Sequence, residues 1–127
     1  MGISSKNFSE KELSCSCCEE NKFDQKTLDA LQELRDAVGK PLSISSAYRC
    51  PTHNQKVSST GITGPHTTGK AVDILCSGKF AHEVLSFAMI RSSVWKGIGI
   101  SQKNEHGSRF IHLDTIEATN RPWIWSY

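Results

Sequence analysis

No apolar run in this chain approaches the roughly 20 residues that a membrane-spanning helix needs. No run of five or more like charges occurs either. With a net charge of +2 and scattered Lys and Arg, the sequence excludes a polybasic nucleic-acid binder. Internal repeats and low-complexity segments are absent, which removes solenoids and linker arrays. The opening stretch "MGISSKNFSEKEL" has no apolar core of the signal-peptide kind. Lys6 breaks the myristoylation pattern that Gly2 begins. The sequence therefore predicts a soluble chain made in the cytoplasm without a signal peptide, which meets any outside target only after something else releases it.

What is present fits one domain built on one core, residues 1–127, with 1–22 as a cysteine-bearing lead-in. Its five cysteines are Cys15, Cys17, Cys18, Cys50 and Cys76. Their number is odd, and the chain is not a small secreted scaffold. Cys15, Cys17 and Cys18 offer a second metal site together with Cys50. Cys-x-Cys-Cys lacks the usual two-residue gap of zinc knuckles, however. Loose thiols or one disulfide are the expectation there.

Ser9 and Glu12 in "FSEKEL" predict a capping box on one helical turn. "FDQKTLDALQELRDAVGKP" is the clearest helix: Asp24 caps it, Leu28, Leu31, Leu34 and Val38 share a face, and Gly39 with Pro41 stops it. "LSISSAY" reads as a strand, and residues 51–69 as loop with one helical turn near 54–57. "KAVDILC" is a second strand. A second helix from about 79 to 90 follows, capped by Ser77, with Phe80, Val84, Phe87 and Ala88 as its apolar face. "KGIGIS" and "RFIHLDT" make a β-hairpin through "QKNEHGS", and "RPWIWSY" supplies a last strand. The fold class is α+β, a small and largely antiparallel sheet with helices packed on one face.

Strand parity picks out the chemistry. Side chains alternate faces along a strand. Val72 and Ile74 share one face and Asp73 takes the other; Ile111 and Leu113 share one face, and His112 and Asp114 the other. With the aliphatic faces on the helices, Asp73, His112 and Asp114 point to the opposite side, where Gly97 and Gly99 leave open space. His66, on a reversal that Gly64, Pro65 and Gly69 permit, folds back to the same point. A charge beside Val72 and Ile74 is costly unless compensated. Two histidines and one carboxylate with room above them match a single catalytic Zn2+. Trp123, Trp125 and Tyr127 read as packing on the sheet edge in preference to stacking on sugar rings. His53 reads as structural or exposed, and His82 as a surface residue.

"ISSAYRCPTHNQKV", "GPHTTGKAVDI", "GIGIS" and "RFIHLDT" resemble the zinc D-alanyl-D-alanine peptidases, above all the small phage and bacterial members of carboxypeptidase type. That fold is shared with the zinc domain of hedgehog proteins. The resemblance implies that His66, Asp73 and His112 bind one zinc ion and that Arg49 binds a carboxylate or carbonyl of a peptide substrate. It implies hydrolysis of peptidoglycan stem peptides by a monomer, as a carboxypeptidase or an endolysin-type endopeptidase, plausibly phage-encoded. Gly64 stands where many relatives have Ser, and Asn54 matches the family's His-Asn pair. Several relatives carry an acidic residue three positions before the last zinc histidine; Arg109 stands there. His106, Glu105 and Asp114 are the remaining candidates for the base, with His106 preferred over Asp114. Asp114 serves alternatively as the partner that orients a ligand. The missing acid keeps open a non-catalytic, hedgehog-like zinc module that binds a partner, and the cysteine cluster a cysteine–metal interaction module.

Overall fold

In the computed structural model, which describes residues 2–127, Asp24 Oδ2 accepts a hydrogen bond from Thr27 N at 3.0 Å. That bond satisfies a free N–H of the first turn and starts helix α2, Gln25–Val38, which Gly39 ends in the left-handed region. The Ser9/Glu12 capping box is formed and holds α1, Glu10–Leu13. Helix α3, Pro51–Val57, is longer than the single turn read from the sequence. Pro51 sits where its missing N–H costs nothing, and the sulfur of Cys50 caps the helix by accepting from His53 N. Helix α4, Gly78–Ile90, begins after Ser77 as expected, although the Ser77 side chain makes no capping bond.

Five strands form one sheet: β1 Ser43–Ser46, β2 Ala71–Leu75, β3 Gly97–Ser101, β4 Phe110–Asp114 and β5 Trp123–Ser126. Their order is β1-β2-β4-β3-β5. All neighbours are antiparallel except β5, which adds parallel to β3. Val72 and Ile74 of β2, Ile98 of β3, and Ile111 and Leu113 of β4 are buried in one cluster with the apolar faces of α2 and α4. Each such side chain contributes about 1.5–3 kcal/mol by leaving water. This is the α+β architecture that the alternation predicts. Among the described residues no helix is long and apolar enough to cross a membrane.

Register positions the other face. On central strand β4, His112 lies opposite Asp73 of β2 on one side and Gly99 of β3 on the other. Asp114 lies between Ala71 and Gly97. The glycines do not leave the open space expected of them. A Cβ on Gly97 would lie 2.2 Å from Asp114 Oδ2, and one on Gly99 would lie 2.6 Å from Trp125 Nε1. The room they provide is taken by a carboxylate and by an indole ring.

Candidate metal centre

Two strands and one turn bring the three metal-type side chains together. His66 rides on a 3-10 turn, Pro65–Thr68, which closes at Gly69 with φ of 75°. A side chain at Gly69 is excluded twice over, by that φ and by the Lys22 carbonyl oxygen 2.1 Å from where its Cβ would stand. The turn delivers the ring of His66 edge-on to that of His112, with centroids 5.1 Å apart. His66, Asp73 and His112 are all buried, and one donor atom of each lies within 4.8 Å of the other two.

The hydrogen bonds behind these side chains fix which atoms face inward. His66 Nδ1 lies 2.7 Å from the Ala47 carbonyl oxygen, which only accepts. That nitrogen therefore carries a proton and donates it, and in the neutral ring Nε2 is left with its lone pair. His112 donates Nε2–H to Asp114 Oδ2 at 2.8 Å; its Nδ1 is then the bare nitrogen. Both bare nitrogens point at one oxygen, Asp73 Oδ1, at 3.2 Å for His66 and 3.0 Å for His112. Two lone pairs confronting a carboxylate repel one another. Either both rings hold an extra proton or a cation sits among the three atoms. Zinc bound by nitrogen and oxygen at about 2.0–2.1 Å spaces its tetrahedral ligands about 3.3 Å apart, so these donors fit a zinc ion.

Charges around the cluster are arranged in a chain. With both rings carrying the extra proton, burial pushes the Asp73 carboxyl up, but the hydrogen bonds that His112 and His66 then donate outweigh it and hold the group well below the usual carboxylate range. Burial likewise opposes the charged form of His112, yet in that form the ring donates to both Asp114 and Asp73, which raises it above the ordinary histidine value. Asp114 is lowered against burial by His112 and Arg121. Arg121 grips Asp114 in a fork, Nε to Oδ1 at 3.0 Å and Nη2 to Oδ2 at 2.9 Å. Its guanidinium also lies 5.2 Å from the Trp125 ring centroid, and Trp125 packs on His112 at 5.0 Å. Sequence reasoning missed Arg121 because the pair closes only when the chain turns between β4 and β5. The one hint in the sequence is a basic residue just before the alternating aromatic tail.

Arg49 stands on the opposite side of Asp73. Its Nε donates to Ser46 Oγ at 2.8 Å, Nη1 to Asn54 Oδ1 at 2.9 Å and Nη2 to Asp73 Oδ2 at 3.5 Å. Asn54 is itself buried and tied to Thr60 and Gly61, so the guanidinium plane is fixed. A cavity of about 900 Å3 runs along the free edge of β1 and is bordered by Ser46, Ala47, Arg49 and His53. His66, Asp73 and His112 do not line it; Arg49 and Ala47, whose carbonyl holds His66, stand between it and the centre.

The residues considered as base are placed elsewhere. His106 is exposed on a 3-10 turn, His106–Ser108, and contacts Ser77 Oγ at 3.4 Å, four positions beyond Asp73 at the far end of β2. Glu105 beside it is exposed. Arg109 turns back to donate to the Asn104 carbonyl at 2.7 Å. Asp114 is close to the cluster but fully buried, with both oxygens occupied by His112, Arg121 and Ile116 N. Neither His106 nor Asp114 is in the group of donor atoms that gathers His66, Asp73 and His112. Of the other histidines, His53 is half-buried against Ser16 and His82 is exposed.

An α+β sheet that presents an aspartate and a histidine from one face and a second histidine from an adjoining turn, with partners behind the histidines that fix their tautomers, has the donor set of a mononuclear metal hydrolase. Residues 6–114 match the family described as Peptidase M15. This chain belongs to that metallopeptidase family, whose members are zinc-dependent, and His66, Asp73 and His112 are its candidate metal ligands. The matched span includes His66, Asp73, His112 and Arg49, and it ends at Asp114, before Arg121 and β5. No curated protein matches the chain.

Proposed function

We propose that this peptidase cleaves peptide bonds in the stem peptides of bacterial peptidoglycan, acting on the wall after release from the cell that makes it. The observation that carries the reading is Arg49. Three of its five N–H donors hold it rigid, and the remaining two are left for a substrate oxygen beside Asp73. A fixed guanidinium suits a peptide carboxylate or carbonyl, and stem peptides end in carboxylates. The groove along β1 gives the rest of the peptide a place to lie. His66, Asp73 and His112 hold the metal; Asp114 and Arg121 fix the tautomer and tilt of His112. A zinc ion held by these residues would supply a Lewis acid for the scissile carbonyl and would lower the pKa of a bound water to about 7.

Purified muropeptides incubated with the zinc-loaded protein and read by mass spectrometry test this. Loss of a terminal residue identifies a carboxypeptidase, and an opened crosslink an endolysin-type endopeptidase; His112→Ala abolishes either. The position of Arg109, folded back on Asn104 where relatives place an acid, favours a second reading, a zinc module that binds a partner without cleavage. Retained zinc with every muropeptide intact decides for that reading.

A further inference from the structure

Cys15, Cys17, Cys18 and Cys50 bring their four sulfur atoms within 4.8 Å of one another, although Cys17 and Cys50 are 33 positions apart in the chain. Cys17 Sγ lies 3.5 Å from Cys15 Sγ and 3.3 Å from Cys50 Sγ. A disulfide bond is about 2.05 Å, and all four thiols are free. The spacing is instead near the edge of a tetrathiolate zinc site, about 3.8 Å for metal–sulfur bonds of about 2.3 Å. Neutral thiols are weak donors and weak acceptors, so four of them gain little by gathering. A shared cation supplies the attraction.

The surrounding backbone treats the sulfurs as acceptors. Cys50 N donates to Cys15 Sγ at 3.3 Å and His53 N to Cys50 Sγ at 3.4 Å. N–H donors of this kind stabilise thiolates that ligate a metal. Cys15 and Cys18 do have the two-residue gap of a zinc knuckle; Cys17 between them hides it from a reading of Cys-x-Cys-Cys. They sit on a turn closed by Glu19 N to the Cys15 carbonyl at 2.8 Å and by Cys15 N to the Glu20 carbonyl at 2.7 Å. Cys17 and Cys18 are exposed, which gives an ion its way in.

We propose that these four cysteines bind a second zinc ion in a closed, structural site separate from the His66/Asp73/His112 centre. Four thiolates leave no position for water or substrate, and soft sulfur ligands select zinc over hard cations. The ion ties the lead-in to the segment that carries Arg49. Cys50 follows Arg49 directly, and Tyr48 N on its other side donates to the Leu13 carbonyl at 3.3 Å. This inference does not depend on the choice of substrate.

Metal analysis of the full chain purified under reducing conditions tests it. The wild type holds two zinc ions, and the His66→Ala/His112→Ala and Cys17→Ser/Cys50→Ser variants each hold one. With cobalt in place of zinc, sulfur-to-metal charge-transfer absorption appears in the wild type and the histidine variant and is missing from the cysteine variant. If the cysteine variant does not fold, the wild type still decides: an organomercurial that titrates the thiols releases one of the two zinc ions. A single zinc that stays through mercurial treatment and is lost with the histidines overturns the proposal, as does a disulfide joining any two of the four cysteines in the native protein.

Discussion

His112 donates Nε2–H to Asp114 at 2.8 Å, and that carboxylate is wholly enclosed. One nitrogen of the ring is thus committed to an acceptor on its own strand, two residues away, and the other is turned toward Asp73. The strength of the metal centre rests on a residue that does not itself reach the ion.

Asp114→Asn keeps the side-chain volume but replaces one acceptor oxygen with an NH2 that repels the donors of Arg121 and His112. Partners of this kind typically carry 10–100-fold in metal affinity. A loss of about that size is the expected outcome, with the fold retained by circular dichroism. Competition with a chromophoric chelator at fixed pH measures it. An unchanged zinc affinity would show that the Asp114 bond does nothing for the metal.

Gly97→Ala tests the same carboxylate from outside. Its Cβ would stand 2.2 Å and 2.3 Å from the two oxygens of Asp114, which cannot retreat because Arg121 and His112 hold them. Strand β3 is held in turn by ladders to β4 and β5. Overpacking of this kind costs about 1–3 kcal/mol, to be read as a lower urea midpoint together with weaker zinc binding. Gly107→Ala, with nothing within 4 Å of the new methyl, serves as the control. Equal behaviour of the two variants sinks the argument.

Much of this centre is legible in the sequence because burial enforces alternation. Val72 and Ile74 must face the helices, so Asp73 cannot, and the same holds for His112 between Ile111 and Leu113. The cap at Asp24 and the stop at Gly39 are local and read directly. What stays hidden depends on the path of the chain between elements. Arg121 meets Asp114 only across the turn before β5, and β5 pairs parallel to β3, a choice that no local signal encodes. The space beside Gly97 and Gly99 is real, but which groups fill it is settled by those same long-range placements.

The fifth cysteine, Cys76, lies outside the cluster of the other four and is buried. Burial pushes the Cys76 thiol from its ordinary 9.0 up to about 11. Between those values the folded chain binds more protons than the unfolded one, so stability falls as pH rises from about 9 to about 11. The full effect is at most about 3 kcal/mol, since the shift spans about two pKa units and each is worth about 1.4 kcal/mol. Urea unfolding in reductant at about pH 8 and about pH 10 should show a steeper loss for the wild type than for Cys76→Ala. Parallel slopes would mean that the folded thiol ionises normally.

Arg49 separates the substrate proposal from a purely architectural role. Its three bonds run to Ser46, Asn54 and Asp73 in three directions, and Lys can hold the charge but not the fork. A hydrogen bond to a charged group is worth about 1.5–3 kcal/mol, which corresponds to about 10–150-fold in kcat/KM. Arg49→Lys should lose an amount in that range on stem peptides ending in a free carboxylate, mostly through KM. On the same peptides with amidated ends, the loss should be far smaller. Zinc content measured in parallel checks that the metal centre survives. If both substrates suffer equally while zinc is retained, Arg49 acts only by bracing Asp73, and the carboxylate assignment is lost.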